Sequence, residues 1–345
     1  MPNALVSLVR SFAGQIQRLD LHLMAEQFSR LRPLHASFPL LQHLATSHSS
    51  SEDLSYLLQD APSIRELRLL GDTSSIKFSL PLLTHLEIEK EISKDTFLAI
   101  LTNFPSLSHF KFHLTEYESH SITEISIPTT FPNLTSLTVG SGCSALHLLQ
   151  LPNLHKLDLP SFFKPDIIRP FLARSSCPLD HLVISFEGYD EDGYGDDVSE
   201  EVTNLLKTFP LVVVLEITRC PDVSVLISCL ESPGLLPRLS ELTISAEIGP
   251  QTPDMDYDAI IGMLHRRRDS ARAVELRKFH LNMTCLGQSS SDDVEDRCPG
   301  YLVCREIIGN SLDFVLGLAA GGKHYTWPPN AKGDSLVFFC WSIYD

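Results

Sequence analysis

Apolar and polar positions recur in a fixed phrase along most of the chain. A Pro is followed by apolar residues two, five and seven positions later, as in Pro105, Leu107, Phe110 and Phe112. The copy at Pro178 is one residue shorter, and the copy at Pro39 has Thr46 at the last apolar position. The Pro-led copies begin at Pro39, Pro62, Pro81, Pro105, Pro132, Pro152, Pro178, Pro210 and Pro237, and two copies without Pro lie at Ile16/Leu19/Leu21 and Leu276/Phe279/Leu281. Self-similarity at a period of about 20–50 residues is the signature of a stacked repeat protein.

Each repeat predicts a helix followed by a short strand. The alternation of apolar and polar residues after each Pro is typical of a half-buried strand, and the Pro ends the helix before it. We expect Ser51, Ser93 and Asp222 to be N-caps. The expected helices are 4–13, 52–60, 94–103, 143–149, 166–175, 198–208, 222–231 and 256–269.

Strands joined by helical crossovers are parallel, and the connections are right-handed. Repetition of this unit predicts an α/β solenoid of about eleven irregular repeats, with a curved parallel sheet on the concave face and helices on the convex face. The solenoid is expected over residues 1–285, with an acidic inserted loop at 187–201. An acidic flexible loop at 286–297 follows it.

Residues 298–345 are expected to form a C-terminal cap over the open end of the core, or a partly ordered tail. Within this region the segment Leu312–Leu316 could add one more strand, and Leu336–Trp341 is an apolar strand candidate. The segment 319–330 between them is rich in turn residues.

Strand alternation places the polar residues between the apolar ones on the concave face. That face is where we expect a protein partner to bind, since a long open surface suits a protein or an extended peptide. Polar residues of this face that we select as the partner-binding set are Arg68, His85, Glu87, His109, Lys111, His113, Lys156, Asp158, His181, Glu216 and Glu241. Because their strands are predicted neighbours, His85, His109 and His113 could approach Glu87 and Glu89, in a polar recognition surface or, alternatively, a metal or pH-sensitive site.

Three other patterns have simpler interpretations. Asp190, Asp192, Gly195 and Glu201 match part of a calcium loop, but Tyr194 and Asp197 break the pattern, so a solvated insertion is expected. His265–Arg268 is expected to complement the dipole of its own helix, with an anion contact or a localisation signal as the alternative. The sequence has neither a Gly-x-Ser-x-Gly nor a phosphate-binding Gly loop, so we expect no enzyme and no cofactor.

The net charge limits the class of partner, and the cysteine spacing indicates the state of the thiols. The net charge is −16 and the pI is about 5.3, which argues against nucleic acid or an anionic membrane as partner, because both require a basic surface. The eight Cys are scattered with no Cys-x-x-Cys pair, which indicates reduced thiols rather than disulfides or zinc. We expect a monomer in the cytoplasm or nucleus.

The repeats resemble the leucine-rich repeats of F-box/leucine-rich-repeat proteins, in the irregular form that is numerous in mushroom-forming fungi. The segments that carry the resemblance are Ile16–Leu23, Leu31–His35, Phe171–Leu179 and Tyr257–Arg266. The resemblance implies a leucine-rich-repeat solenoid that acts as a substrate-recognition subunit of a cullin–RING (SCF-type) ubiquitin ligase.

No segment of the sequence matches the F-box of this family, and the first repeat strand begins by Ile16. A ligase adaptor is therefore expected as a partner only if an F-box is supplied elsewhere. The alternatives are a truncated F-box protein and a repeat-only binding module. A metal-dependent hydrolase that uses the concave-face His residues and carboxylates is the alternative from a different class.

Overall fold

The computed structural model describes residues 9, 11–21, 38–47, 58, 61–71, 80–114, 128–141, 143–160, 165–186, 198–220, 222–232, 234–248, 256–270, 273–285, 313–320 and 323–327. The chain divides into two compact units. The first unit comprises residues 1–189 with 200–212, and the second comprises residues 190–199 with 213–345. Repeats of the same phrase build both units.

The first unit contains a parallel sheet in which strands lie side by side in the order β1, β2, β3, β4, β5, β7, β9, β10. A separate parallel pair joins β6 to β8. The strands are β1 Arg18–Leu21, β2 His43–Thr46, β3 Glu66–Leu69, β4 His85–Ile92, β5 His109–Leu114, β6 Thr129–Thr130, β7 Ser136–Val139, β8 Leu149–Gln150, β9 Lys156–Pro160 and β10 His181–Ser185. The α-helices are α1 Lys94–Asn103, α2 Pro165–Ser175 and α3 Val198–Leu206, and 3-10 helices cover Ala13–Gln15 and Cys143–Leu148.

The second unit repeats the strand–helix order with fewer, longer strands. Its elements are β11 Val214–Cys220, α4 Val223–Leu230, β12 Glu241–Ile248, α5 Tyr257–Arg268, β13 Lys278–Cys285, β14 Asp313–Ala320 and β15 Lys323–Trp327. Strands β11 to β14 are parallel to their neighbours, and β15 is antiparallel to β14.

Every copy of the repeated phrase forms a parallel strand, which confirms the predicted fold class. The copies at Ile16 and Pro39 form β1 and β2, and the copy at Leu276 forms β13. The protein is an α/β repeat structure of the leucine-rich-repeat type, as the spacing of its apolar residues predicts.

The helices expected at 94–103, 166–175, 198–208, 222–231 and 256–269 are confirmed, with small shifts at their ends. Ser93 accepts a hydrogen bond from the amide of Thr96 and caps α1. Asp222 accepts from the amides of Ser224 and Val225 and caps α4. The helix expected at 143–149 is a 3-10 helix instead. Ser51, most of the segments 4–13 and 52–60, and all of Leu336–Trp341 lie outside the described residues.

Two segments that the sequence marks as acidic or turn-rich contain regular structure. Helix α3 begins at Val198, the first residue of the expected helix 198–208, and so overlaps the end of the acidic insertion 187–201, because apolar residues at helical spacing follow directly. The segment 319–330 contains strand β15, whose partner β14 supplies the backbone bonds that turn-rich composition does not reveal. Residues 187–197 and 286–297 are outside the described part of the chain.

Neighbouring strands within each unit begin in register, because most repeats make a double hydrogen bond to the repeat before them. The carbonyl of Ser108, in the second position of Leu-x-x-Leu, accepts from the amides of Thr135 at 2.8 Å and Ser136 at 3.0 Å. The same pair of bonds recurs at the carbonyls of Gln17, Gln42, Arg65, Thr84, Thr135, His155, Val213 and Ser240. In-register strands place equivalent side chains in rows across the sheet.

Short polar side chains add a second set of bonds along the edge of the first unit. Ser106 Oγ donates to the carbonyl of Pro81 at 2.7 Å, and Asn133 Nδ2 donates to the carbonyl of Pro105 at 2.9 Å. Ser63 and Asn153 make the equivalent bonds to Pro39 and Pro132. These donors follow the Pro of each repeat, so they join one turn to the next.

The other side of the sheet in the first unit is filled by the apolar residues of the phrase. Phe110 and Phe112 are 2% and 0% exposed, and both pack against Phe97 of α1. The ring centroids of Phe97 and Phe112 are 4.7 Å apart, within the range of favourable aromatic contacts. Burial of these residues fixes which face of each strand is left for polar side chains.

Candidate functional site

Two rows of side chains cross the polar face of the first unit's sheet, which we call the open face. The strand register aligns the members of each row on neighbouring strands. Row 1 is Arg18, His43, Glu66, His85, His109, Ser136, Lys156 and His181, and row 2 is Asp20, Ala45, Arg68, Glu87, Lys111, Thr138, Asp158 and Val183.

A shallow groove of about 430 Å³ lies over strands β1 to β5 and β7. It is lined mainly by members of rows 1 and 2, together with Leu70 and parts of the apolar residues between the rows. Of the residues selected from strand alternation, the groove is lined by Arg68, His85, Glu87, His109 and Lys111, whereas His113, Lys156, Asp158 and His181 are not part of its lining. Glu216 and Glu241 belong to the second unit, where Glu241 lies 3.9 Å from the ammonium group of Lys278.

Four side chains of row 2 and its neighbourhood form a closed network of ion pairs. Arg68 binds Glu87 at 3.1 Å and Glu89 at 3.0 Å. Lys111 binds the same two carboxylates at 2.6 Å and 3.3 Å. The four side chains are 29–47% exposed, and two positive charges meet two negative ones. The network therefore fixes side-chain geometry on the open face more than it stabilises the fold.

The network also sets the titration of its members. Burial acts to raise the pKa of Glu89, but the hydrogen bond from Arg68 and the charge of Lys111 outweigh it and hold that pKa below its ordinary value. Burial acts to lower the pKa of Lys111, and its bonds to Glu87 and Glu89 raise it instead. Both groups are therefore charged at neutral pH.

His43 connects the acidic residues at the other end of the groove. Its Nδ1 is 2.8 Å from Glu66 and its Nε2 is 3.4 Å from Asp20. The hydrogen bond with His43 lowers the pKa of Glu66 against an opposing effect of burial. Asp20 also binds Arg18 at 3.2 Å.

His85 and His109 stack on one another, and neither forms an ion pair with Glu87 or Glu89. The ring centroids are 4.0 Å apart and the rings are nearly parallel, at 12°. Each Nδ1 lies 2.9 Å from the hydroxyl of the residue before it, Thr84 or Ser108. The carboxylates are engaged with Arg68 and Lys111, which leaves the two imidazoles to pack together.

His113 is also separated from Glu89. The register of β4 against β5 shifts between Glu87 and Glu91, so that Glu91 lies opposite His113. The imidazole of His113 packs over Gly140, in the space that a side chain there would fill. The lack of a side chain at Gly140 is thus what allows this ring position.

Lys156, Asp158 and His181 lie on β9 and β10, next to the groove. Lys156 pairs in register with Ser136 and His181. Asp158 Oδ2 accepts a hydrogen bond from Thr138 Oγ1 at 3.4 Å. These residues continue the polar face beyond the ion-pair network.

Two arginines, Arg267 and Arg174, bind backbone carbonyls in or just after the preceding helical segment. Arg267 is fully buried, and its guanidinium donates to the carbonyls of Leu236 at 2.7 Å and Leu235 at 3.1 Å. It also lies 3.4 Å from the carbonyl of Leu230, the last residue of α4. Arg174 donates to the carbonyl of Leu146 at 2.6 Å.

We expected His265–Arg268 to complement the dipole of its own helix. This is corrected for Arg267, because its guanidinium donates to carbonyls at and just after the end of α4. Burial lowers the pKa of Arg267 and of Arg174. Arg266 binds Glu231 at 2.8 Å. The only sequence signal for the contacts of Arg267 is its place in the last turn of a helix. The helix dipole already explains an Arg at such a position.

Among the described residues, no three His, Cys, Asp or Glu side chains are placed so that they could hold a metal ion. The calcium pattern at Asp190, Asp192 and Gly195 lies outside those residues. The structure also describes no helix that combines the length and apolar character needed to cross a membrane.

No protein-family model matches the chain, and no curated protein matches it either. The chain is similar to a crystal structure of a Bacteroides fragilis protein determined by the Northeast Structural Genomics Consortium. The two share 16% identity with a TM-score of 0.42, over 82% of this chain and 76% of the other.

Proposed function

We propose that the protein is a non-enzymatic binding scaffold whose open face holds a segment of a partner protein. The observation that carries the proposal is the groove over β1 to β5 and β7, which is lined by two in-register rows of polar side chains. The ion pairs of Arg68 and Lys111 hold these side chains in place before a partner arrives, which lowers the entropy cost of binding.

Selection of peptides from an unbiased display library on the immobilised full chain tests the proposal. Ser136→Trp places a large ring at the floor of the groove, and Leu82→Trp adds the same ring at an exposed turn, where Leu82 is 51% exposed. We expect the selected peptides to bind wild type and Leu82→Trp equally and not to bind Ser136→Trp. Equal binding to all three proteins, each shown to be folded by circular dichroism, would contradict a binding role of the open face.

The second part of the proposal is kinship with substrate-recognition subunits of cullin–RING ligases. It is supported by the phrase of the repeats and by the segments Phe171–Leu179 and Tyr257–Arg266. Affinity purification from the source cells tests it, because a ligase receptor co-purifies with adaptor and cullin. Their absence from the purified complex would leave a binding module without ligase attachment.

A further inference from the structure

His109, Ser136 and Lys156 are consecutive members of row 1, on β5, β7 and β9. The short side chain of Ser136 therefore lies between an imidazole and an ammonium group. Strands are about 4.8 Å apart, so the backbones of His109 and Lys156 are separated by roughly 10 Å. A carboxylate fits between two basic side chains at this spacing, above the serine hydroxyl.

His109 and Lys156 differ from the neighbouring basic side chains Arg68, Lys111 and His43 in their ion-pair partners. Arg68 and Lys111 are compensated by Glu87 and Glu89, and His43 by Glu66. Within the part of the chain that the structure describes, neither His109 nor Lys156 takes part in an ion pair. The ring contact of His109 is with His85, another basic side chain.

The charged groups that face His109 are Glu66 on β3, His85 on β4 and Lys156 on β9, with Lys111 on its own strand. Burial is the main cause that holds the pKa of His109 below its ordinary value of 6.5. The charges of His85 and Lys156 act in the same direction, and Glu66 opposes them. Asp158, the row 2 residue on β9, accepts a hydrogen bond from Thr138.

We infer that His109, Ser136 and Lys156 bind a carboxylate side chain in an acidic segment of the partner protein. The inference rests on the proposed function, since it names the chemistry of the partner at the same face. The carboxylate accepts hydrogen bonds from Ser136 Oγ, Lys156 Nζ and the Nε2–H of protonated His109, whose Nδ1 is already engaged with Ser108 Oγ. The rest of the segment follows the groove from Ser136 and Thr138 towards β4.

Fluorescence anisotropy with the full chain tests this pairing of charges. The probe is a labelled peptide in which Glu alternates with Ser, and the comparison peptide has Gln in place of Glu. Lys156→Gln is expected to weaken binding of the Glu peptide about tenfold, the loss of one charge-assisted hydrogen bond. Lys207→Gln removes the same charge from an exposed turn and is expected to leave binding unchanged.

The pH profile provides an independent readout of His109. A bound carboxylate favours the protonated imidazole, so binding of the Glu peptide should strengthen as the pH falls from about 8 to about 6. His109→Gln keeps a hydrogen-bond donor without a titrating ring, and we expect a flatter profile for this variant. An unchanged slope in His109→Gln would contradict the role of this residue.

Failure of the inference is distinguishable from failure of the proposed function. Equal affinity for the Glu and Gln peptides, or equal loss in Lys156→Gln and Lys207→Gln, would overturn the acidic partner. Tighter binding of a phosphoserine peptide than of the Glu peptide would overturn the choice of carboxylate. In either case, library-selected peptides that bind wild type but not Ser136→Trp would support the proposed binding function. Equal binding of these peptides to wild type and Ser136→Trp would contradict it.

Discussion

The imidazole of His113 occupies the space that a side chain at position 140 would need. Gly140→Ala should therefore displace the ring and destabilise the protein by about 1–2 kcal/mol, the usual cost of adding a methyl group to a filled space. The free energy of unfolding in urea measures this effect. In a His113→Ala background the same substitution should cost nothing, since the two sites are coupled through one contact.

Additive costs of Gly140→Ala and His113→Ala in the double mutant would contradict the close approach of ring and backbone. Gly14 provides a comparison, because a side chain there would meet nothing nearby. Gly14→Ala is expected to change stability little.

At this scale the sequence predicts which residues reach the open face but not which of them touch. Strand alternation assigned His85, Glu87, His109 and Lys111 to one face, and the structure places them there. Contacts between them depend on rotamers and on the register shift between Glu87 and Glu91, which no local pattern records. The stacking of His85 on His109 is one such contact, and the pairing of Lys111 with Glu87 and Glu89 is another.

Arg267 shows how one helix satisfies the end of another. Its guanidinium serves the carbonyls of Leu230, Leu235 and Leu236 from a fully buried position. Arg267→Met would leave these carbonyls without their donors and should cost about 3 kcal/mol. Thermal and urea denaturation of the full chain measure the loss.

Arg266→Met is the matched control, since Arg266 lies one residue away and is 61% exposed in its pair with Glu231. We expect a cost of about 1 kcal/mol or less for this surface pair. An equal loss of stability in the two variants would contradict the structural role of the hydrogen bonds made by Arg267.

Among the elements, the sequence predicts strands better than helices. A strand here is specified by four or five residues in a local alternation, which each copy of the phrase preserves. The segment 143–149 lacks this support, and it forms a 3-10 helix because only a short stretch is available between β7 and β8. The antiparallel strand β15 was missed because its pairing with β14 is a long-range property.

Each unit depends on contacts between successive repeats, as expected for a stacked array. Phe110→Asp puts a charge among Phe97 and Phe112 in the core of the first unit, where no partner can offset it. We expect loss of amide protection across β4, β5 and β7 together, measured by hydrogen exchange. Leu82→Asp, at an exposed turn, should leave protection unchanged.

Protection lost only at β5 would contradict cooperation between neighbouring repeats.

The apolar spacing alone was enough to predict strands β1 to β5, β7 and β9 to β13, because the same burial requirement is repeated in every copy of the phrase. The division into two compact units near residue 213 was not predicted. The phrase continues through Pro210 and Pro237, so the repeat pattern carries no mark of that boundary.

The side-chain bonds that join successive turns have an evolutionary consequence. Ser106 and Asn133 donate to main-chain carbonyls of the preceding repeat, and a carbonyl is present whatever side chain that repeat carries. A duplicated or deleted repeat can therefore rejoin its neighbours without compensating substitutions. The pairs of the open face lack this freedom, because Arg68 needs Glu87 on the adjacent strand. Gain or loss of a repeat would thus preserve the scaffold while it changes what the scaffold recognises.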